Sequence, residues 1–288
     1  MFGFLNIYKP CAMTSFDVVA YLRRITHIKQ IGHTGTLDPF ATGVLPVCIG
    51  KTTRLIEYLP DDKEYIATVK FGFDTDTYDL DGQIIKKYDK KINNKQLENI
   101  LNDFKGEIEQ FPPKYSAIKV NGKKLYEYAR KGQNVEIKPR KVVIYEIKLL
   151  NFDEINQIGK ILVGCSKGTY IRSIAYDIGQ KLNCGGHLIA LERTKAGKFS
   201  LDTCVRLEDI ITLENVEKNL INPIDVLPQE KYELNTTEKE QVLHGMPIKL
   251  TNSNITGDIV FLLYSGKIIA VGIRNNNEIK VKKVFEVL

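Results

Sequence analysis

Two rhythms of apolar and polar positions run along this chain, and together they sort its elements. The opening "GFLNIYKP" and the later "KEYIATVKFGF" alternate with period two, as half-buried strands do. "TSFDVVAYLRRIT" instead places Val18, Val19 and Leu22 on one face behind a capping Thr14 or Ser15, which predicts a helix. "NNKQLENILNDF" is a second amphipathic helix, and "KTTRLIEYL" a short one. "GKILVGCSKGTYIRSIAYDIGQKL" predicts a strand, a glycine turn and a helix whose apolar face is Ile171, Ile174, Ala175 and Ile178. Residues 32–50, "GHTGTLDPFATGVLPVCIG", hold four glycines and two prolines and are expected to form a glycine-rich loop. No regular strand–helix–strand beat emerges, so the fold class is α+β rather than a doubly wound sheet.

Near Gln229 the texture changes. "LNTTEKEQVLHGMPI" predicts a capped helix ending at Gly245, and "DIVFLLYSGKIIAVGIR" two strands about a Ser-Gly turn. The chain is therefore expected to divide into a large unit, 1–228, and a compact β-rich unit, 229–288, the latter at the lower edge of independent stability. The apolar run "IVFLLY" is strand-sized, far short of a membrane span. With no export signal visible at the start, a cytoplasmic protein is expected. Five scattered cysteines without a C-x-x-C pair predict reduced thiols, and no metal site is expected from them.

Charge sharpens the picture. The net charge is +6, yet the segment 114–141 alone holds nine Lys or Arg against two Glu, so the rest of the chain is near neutral. Lys114, Lys119, Lys123, Lys124, Arg130, Lys131, Arg140 and Lys141 form a basic patch interleaved with Tyr115, Tyr126 and Tyr128, which suits a polyanionic partner. An Asn-Gly turn, a short helix and a final strand are expected within and after it.

One acid stands out. Asp38 sits between Leu37 and Pro39 in the glycine-rich segment, where an aspartate before proline is an ordinary turn-former. It is also a carboxylate hemmed in by apolar neighbours, which drifts toward neutrality unless a cation holds it ionised. Arg172, on the first turn of a largely apolar helix, is the candidate cation, with surface solvation as its ordinary alternative. The acidic stretch "DTDTYDLDGQIIKKYD" is not an EF-hand: with Gly82 at the sixth loop position, Thr77 and Tyr88 fall where acids are required. A polar turn beside the active site is expected there.

"GHTGTLDPFATGVLPVCIG", "KEYIATVKFG", "PPKYSAIKVNGKKLYEYAR", "KGTYIRSIAYDIG" and "CGGHLIALERTKAGKF" together resemble the TruB family of tRNA pseudouridine synthases, in order and over essentially the whole chain. Ala12 departs from the pattern, standing where the family usually has glycine. The resemblance implies a catalytic domain with a mixed, largely antiparallel sheet flanked by helices, a mobile RNA-binding thumb around 114–141, and a small C-terminal PUA-like RNA-binding domain. It implies that Asp38 is the nucleophile, Arg172 its ion-pair partner, and Tyr65 a residue that stacks on the target base and is a candidate proton acceptor. His33, Tyr170 and Leu191 are implied to line the pocket for the everted nucleotide or its neighbours. The implied reaction is isomerisation of uridine 55 in the TΨC arm of tRNA, without cofactor, metal, membrane or obligate protein partner. Two alternatives share these residues: a non-catalytic RNA-binding or tRNA-folding factor, and a dyskerin-like subunit guided by a separate RNA.

Overall fold

The computed structural model describes residues 1–133, 135–250 and 255–285. Position 134, inside the basic stretch, and 251–254 and 286–288 of the C-terminal unit lie outside the described residues. A ten-stranded sheet forms the frame. Its main path runs Val205–Arg206, Gly3–Lys9, Thr42–Ile49, Gly186–Ala196, Lys63–Phe71, Ile158–Cys165, Arg140–Asp153, Gly106–Gln110, with Ile31–His33 and Phe199–Ser200 paired at its side. Two contacts are parallel, Gly3–Lys9 with Val205–Arg206 and Thr42–Ile49 with Gly186–Ala196, and the other pairings are antiparallel.

The alternation in Lys63–Phe71 is reproduced residue by residue: Tyr65, Ala67, Val69 and Phe71 are buried. Helix Ser15–Thr26 begins in a capping box between Thr14 and Asp17 and buries Val18, Val19 and Leu22 against the sheet. Helix Asn94–Leu101 starts in a similar box between Asn93 and Gln96. Helix Ile171–Lys181 buries Ile171, Ile174, Ala175 and Ile178.

The glycine-rich segment departs from its expectation. Only its middle is a loop; Thr42–Ile49 is an eight-residue strand at the centre of the sheet. Val44, Leu45, Val47, Cys48 and Ile49 are fully buried, so both faces are covered and no alternation survives to mark the strand. Gly43 takes φ +99 because its Cα lies against the Arg193 backbone, where an added Cβ would fall 2.3 Å from the Arg193 carbonyl oxygen. "KTTRLIEYL" is a 3-10 helix, Gly50–Tyr58.

A second, five-stranded sheet contains Glu230–Glu233, Ile259–Tyr264, Lys267–Asn275, Glu278–Val284 and Ile248–Lys249. One core lies between this sheet and helix Thr236–Leu243, around Val242, Val260, Leu262 and Ile269. The opposite face is not free: Phe261, Val271 and Phe285 join Phe4, Val44 and Phe199 of the large sheet and Tyr58 of the 3-10 helix in a shared core. Arg54 Nη1 donates to the Val284 carbonyl at 2.8 Å, and Lys283 pairs with Glu57. The small unit thus gains from its neighbour the apolar contacts its own length could not supply.

Candidate active site

Asp38 opens a tight turn. The Ala41 N–H donates to the Asp38 carbonyl at 3.1 Å, with Pro39 at the second position, where its fixed φ suits the turn. The turn is tied down on both sides. Ser15 Oγ accepts from the Leu37 N–H at 2.9 Å. The Pro39 carbonyl accepts from the Ala12 N–H at 2.9 Å and from Lys9 Nζ at 3.1 Å. Ala12 itself sits at φ 64, a left-handed conformation that explains why glycine suits the position. Asp38 thus forms the expected turn, and the turn presents its carboxylate to Arg172.

Arg172 reaches Asp38 from the first turn of its helix. Nη2 donates to Asp38 Oδ1 at 3.3 Å, and Nε lies 3.0 Å from Oδ2. Because Nε is off-line for a hydrogen bond, that second contact is ionic, and the grip is looser than a two-bond fork. The guanidinium also serves groups the sequence did not single out. Nη1 donates to Asp79 Oδ2 at 3.1 Å and lies 3.3 Å from the Thr77 carbonyl, and Nη2 donates to the Tyr115 carbonyl at 3.0 Å. One buried cation thus joins the Asp38 turn, the acidic turn and the base of the basic segment.

The carboxylates differ in exposure. The Asp79 side chain is 6% exposed, whereas that of Asp38 is 35% exposed and borders a cavity of about 810 Å³. Burial pushes the Asp38 carboxyl above its ordinary value; Arg172 opposes this, Asp79 adds to it and Lys9 opposes it. The ion pair therefore offsets part of the burial penalty without overturning it.

Tyr65 and Leu191 from the sheet, Tyr170 before the helix, and Tyr115 and Ser116 also line this cavity. Gln110 fixes Tyr170 by bonding both its backbone N–H, at 2.7 Å, and its carbonyl, at 3.0 Å. His33 is the exception among the expected residues. It lies in the strand Ile31–His33, does not border the cavity, and is kept neutral by burial and by Arg193. Tyr65 is pushed above the ordinary phenol value, chiefly by burial, so at neutral pH it presents a protonated ring.

The basic segment holds the expected Asn-Gly turn, with Asn121 at φ 49 and Gly122 at φ 82 between Lys119–Val120 and Lys123–Lys124, followed by helix Leu125–Arg130. Lys114, Lys119, Lys123, Arg130, Lys131, Arg140 and Lys141 are exposed; Lys124 is half-buried, and it and Arg130 lie over the Tyr126 ring. Lys141 pairs with Glu107 at 2.7 Å, so part of its charge is already met.

Three residues that build the candidate site were not legible in the sequence. Asp79 was one of several acids in a polar turn with nothing to show which faced inward. Lys9 is fully buried and donates to the carbonyls of Pro10, Met13 and Pro39. Arg193, 1% exposed, donates through Nε to the Val44 carbonyl at 2.7 Å and through Nη2 to the Gly35 carbonyl at 3.1 Å. Its only signal was its spacing two residues after Leu191. Among the described residues no group of His, Cys, Asp and Glu is placed to hold a metal ion, and no helix is long and apolar enough to cross a membrane.

Residues 23–171 match the model of the TruB family pseudouridylate synthase N-terminal domain, and 172–227 match the tRNA pseudouridylate synthase B C-terminal domain. The chain is 42% identical to tRNA pseudouridine synthase B of Clostridium tetani, over 99% of this chain and 100% of that protein. It is 43% identical to the Clostridium novyi protein of the same name, with the same coverage. Among solved structures it is similar to the archaeal box H/ACA sRNP Nop10–Cbf5 complex, with a TM-score of 0.71 at 26% identity, covering 99% of this chain and 86% of that one. A buried arginine holding an aspartate at the floor of a tyrosine-lined cleft, in a chain matched along this length, places the protein in the TruB family of pseudouridylate synthases.

Proposed function

We propose that this protein converts uridine to pseudouridine at position 55 in the TΨC loop of tRNA, with Asp38 as the nucleophile. The observation that carries the proposal is the Asp38 carboxylate, tied to a buried guanidinium, at the edge of a cavity large enough for a nucleoside. In the reaction the bond from the sugar C1′ to N1 breaks, the base turns, and C1′ joins C5. The C5 proton leaves and N1 gains one, so atoms and charge balance with no cofactor. Attack by Asp38 on the sugar carbon and attack on C6 of the ring both need an ionised carboxylate. Arg172 supports that ionisation by opposing the burial penalty.

The target base must leave its stack to enter the cleft, at a cost of a few kcal/mol. Stacking on the Tyr65 ring returns about 1–3 kcal/mol of it. Because burial keeps the Tyr65 hydroxyl protonated, stacking suits the residue better than proton abstraction. Tyr170 and Leu191 complete the walls, and the exposed cations between Lys114 and Lys141 hold the RNA backbone. The C-terminal unit, 229–288, is assigned as a PUA-like RNA-binding domain.

The test incubates the purified protein with unmodified tRNA carrying tritium at uridine C5 and follows its release to water. The native protein is expected to release tritium from position 55, whereas Asp38→Asn is expected to release none while binding tRNA within a few-fold of native affinity. Binding without release by the native protein would leave an RNA-binding factor or a guided subunit instead.

A further inference from the structure

The cleft wall that carries Tyr65 also carries two cations that form no ion pair among the described residues. Lys63 lies two residues before Tyr65 on the same strand face, about 6.6 Å away at the usual strand rise. It borders the cavity and is half-buried, and its Nζ donates only to the Asp61 carbonyl, at 2.9 Å. Arg193 stands beside it, buried, donating to the Val44 and Gly35 carbonyls and interacting with the Tyr65 hydroxyl. A Cβ added at Gly35 would lie 3.4 Å from Lys63 Cε and 3.6 Å from Arg193 Nη1, so both side chains rest against the loop that leads to Asp38.

Among the described residues neither cation forms an ion pair. The Cys165 thiol, opposite Lys63 in the strand pairing, is pushed up to about 11 by burial and offers no negative charge. The Lys63 ammonium is lowered by burial and by Arg193, and the nearby Asp61 carboxylate offsets only part of this. Burying charge without a partner is costly, and a ligand anion removes the deficit.

We propose that Lys63, seated beside Arg193, takes one phosphate of the substrate RNA next to the everted nucleoside, and so positions that nucleoside against Asp38. This rests on the function proposed above. The separation of Lys63 from Tyr65 matches the reach from a base to its neighbouring backbone. Lys63 is then a positioning residue, distinct from the exposed cations of the basic segment, which contact the RNA farther from the reacting base.

The test compares native protein with Lys63→Met on a TΨC stem-loop carrying a neutral methylphosphonate at single linkages around the target uridine. With native RNA, Lys63→Met is expected to weaken affinity about tenfold, to lower kcat as well because the nucleoside is held less well against Asp38, and to reduce the slope of log affinity against log salt by about 0.7–1. One of the two linkages flanking the target, once neutralised, should weaken the native protein to the same extent and leave Lys63→Met unaffected. Independent losses at every linkage, or a fall in kcat at unchanged affinity, would overturn the assignment. A melting temperature within 2 °C of native excludes a folding effect, and Lys63→Gln serves in its place if Lys63→Met fails to fold. Native protein that turns over no RNA refutes the proposed function itself, an outcome distinct from native turnover with an insensitive Lys63 variant.

Discussion

Replacing Arg172 with methionine separates what the guanidinium does for stability from what it does for chemistry. Arg172 is 5% exposed and meets two carboxylates and two carbonyls. Removing one partner of a buried ion pair costs about 3–5 kcal/mol, because the remaining charge is left stranded. Here the two carboxylates share that penalty unequally. Asp38, with a side chain 35% exposed, recovers water, so its part is discounted for solvent screening. Asp79, at 6%, cannot. Most of a loss of about 3 kcal/mol therefore arises at Asp79, which corresponds to a fall in melting temperature of roughly 6–12 °C for a chain of this size. Arg172→Met combined with Asp79→Asn replaces the stranded charge by a neutral amide and should recover about 2 kcal/mol of that. Activity should not return, since Asp38 still lacks its partner; a loss of at least about a hundredfold in kcat is expected in both variants. Thermal unfolding and tritium release measure the two effects on the same preparations. If Asp79→Asn leaves the melting temperature of the Arg172 variant unchanged, or restores turnover, the division of roles argued here is wrong.

Two further perturbations act on the support of the Asp38 turn. Lys9→Met strands the carbonyls of Pro10, Met13 and Pro39, and should destabilise the protein by about 1–3 kcal/mol at pH 7 and lower kcat by loosening Pro39. Burial lowers the Lys9 ammonium to about 8 from 10.5, so between these values the native state sheds a proton that the unfolded chain still holds. Native stability should therefore rise relative to Lys9→Met as pH climbs from about 8 to 10.5, a trend read from urea midpoints; a constant or shrinking gap counts against it. Gly43→Ala forces a Cβ to within 2.3 Å of the Arg193 carbonyl at a positive φ, and should cost more than about 3 kcal/mol in a thermal melt. A melt within 2 °C of native would show that the strand junction yields more readily than its packing implies.

The elements legible in the sequence are those whose signal is local. Period-two alternation marked Lys63–Phe71, and the Asn121-Gly122 turn marked its hairpin. Arg172 stood out because a charge on the first turn of an apolar helix demands a partner nearby. Strand Thr42–Ile49 was hidden because covering both faces erases alternation, while Gly43 and Pro46 imitate a loop. Asp79 was hidden for a different reason. Its contact with Arg172 joins residues 93 positions apart, and local pattern cannot say which acid of a polar turn closes such a distance. His33 shows the converse: the family resemblance implied a pocket residue, but it pairs in the strand Ile31–His33 and does not border the cavity, which begins at Thr34.

The arrangement of charge has its own logic. An exposed carboxylate repels a polyanion, so a nucleophilic aspartate serving RNA needs cations close by that do not quench it. Arg172 alone cannot meet both demands, because its single charge is divided between Asp38 and Asp79. Burial leaves Asp38 more basic than an ordinary carboxylate, and Arg172 opposes that shift while Asp79 adds to it. Attraction for the RNA must then come from elsewhere, and we assign it to the Tyr65 wall, where Lys63 and Arg193 form no ion pair among the described residues. With the phosphate on Lys63 and the base against Tyr65, as proposed, the aspartate faces the nucleoside rather than the backbone that would repel it.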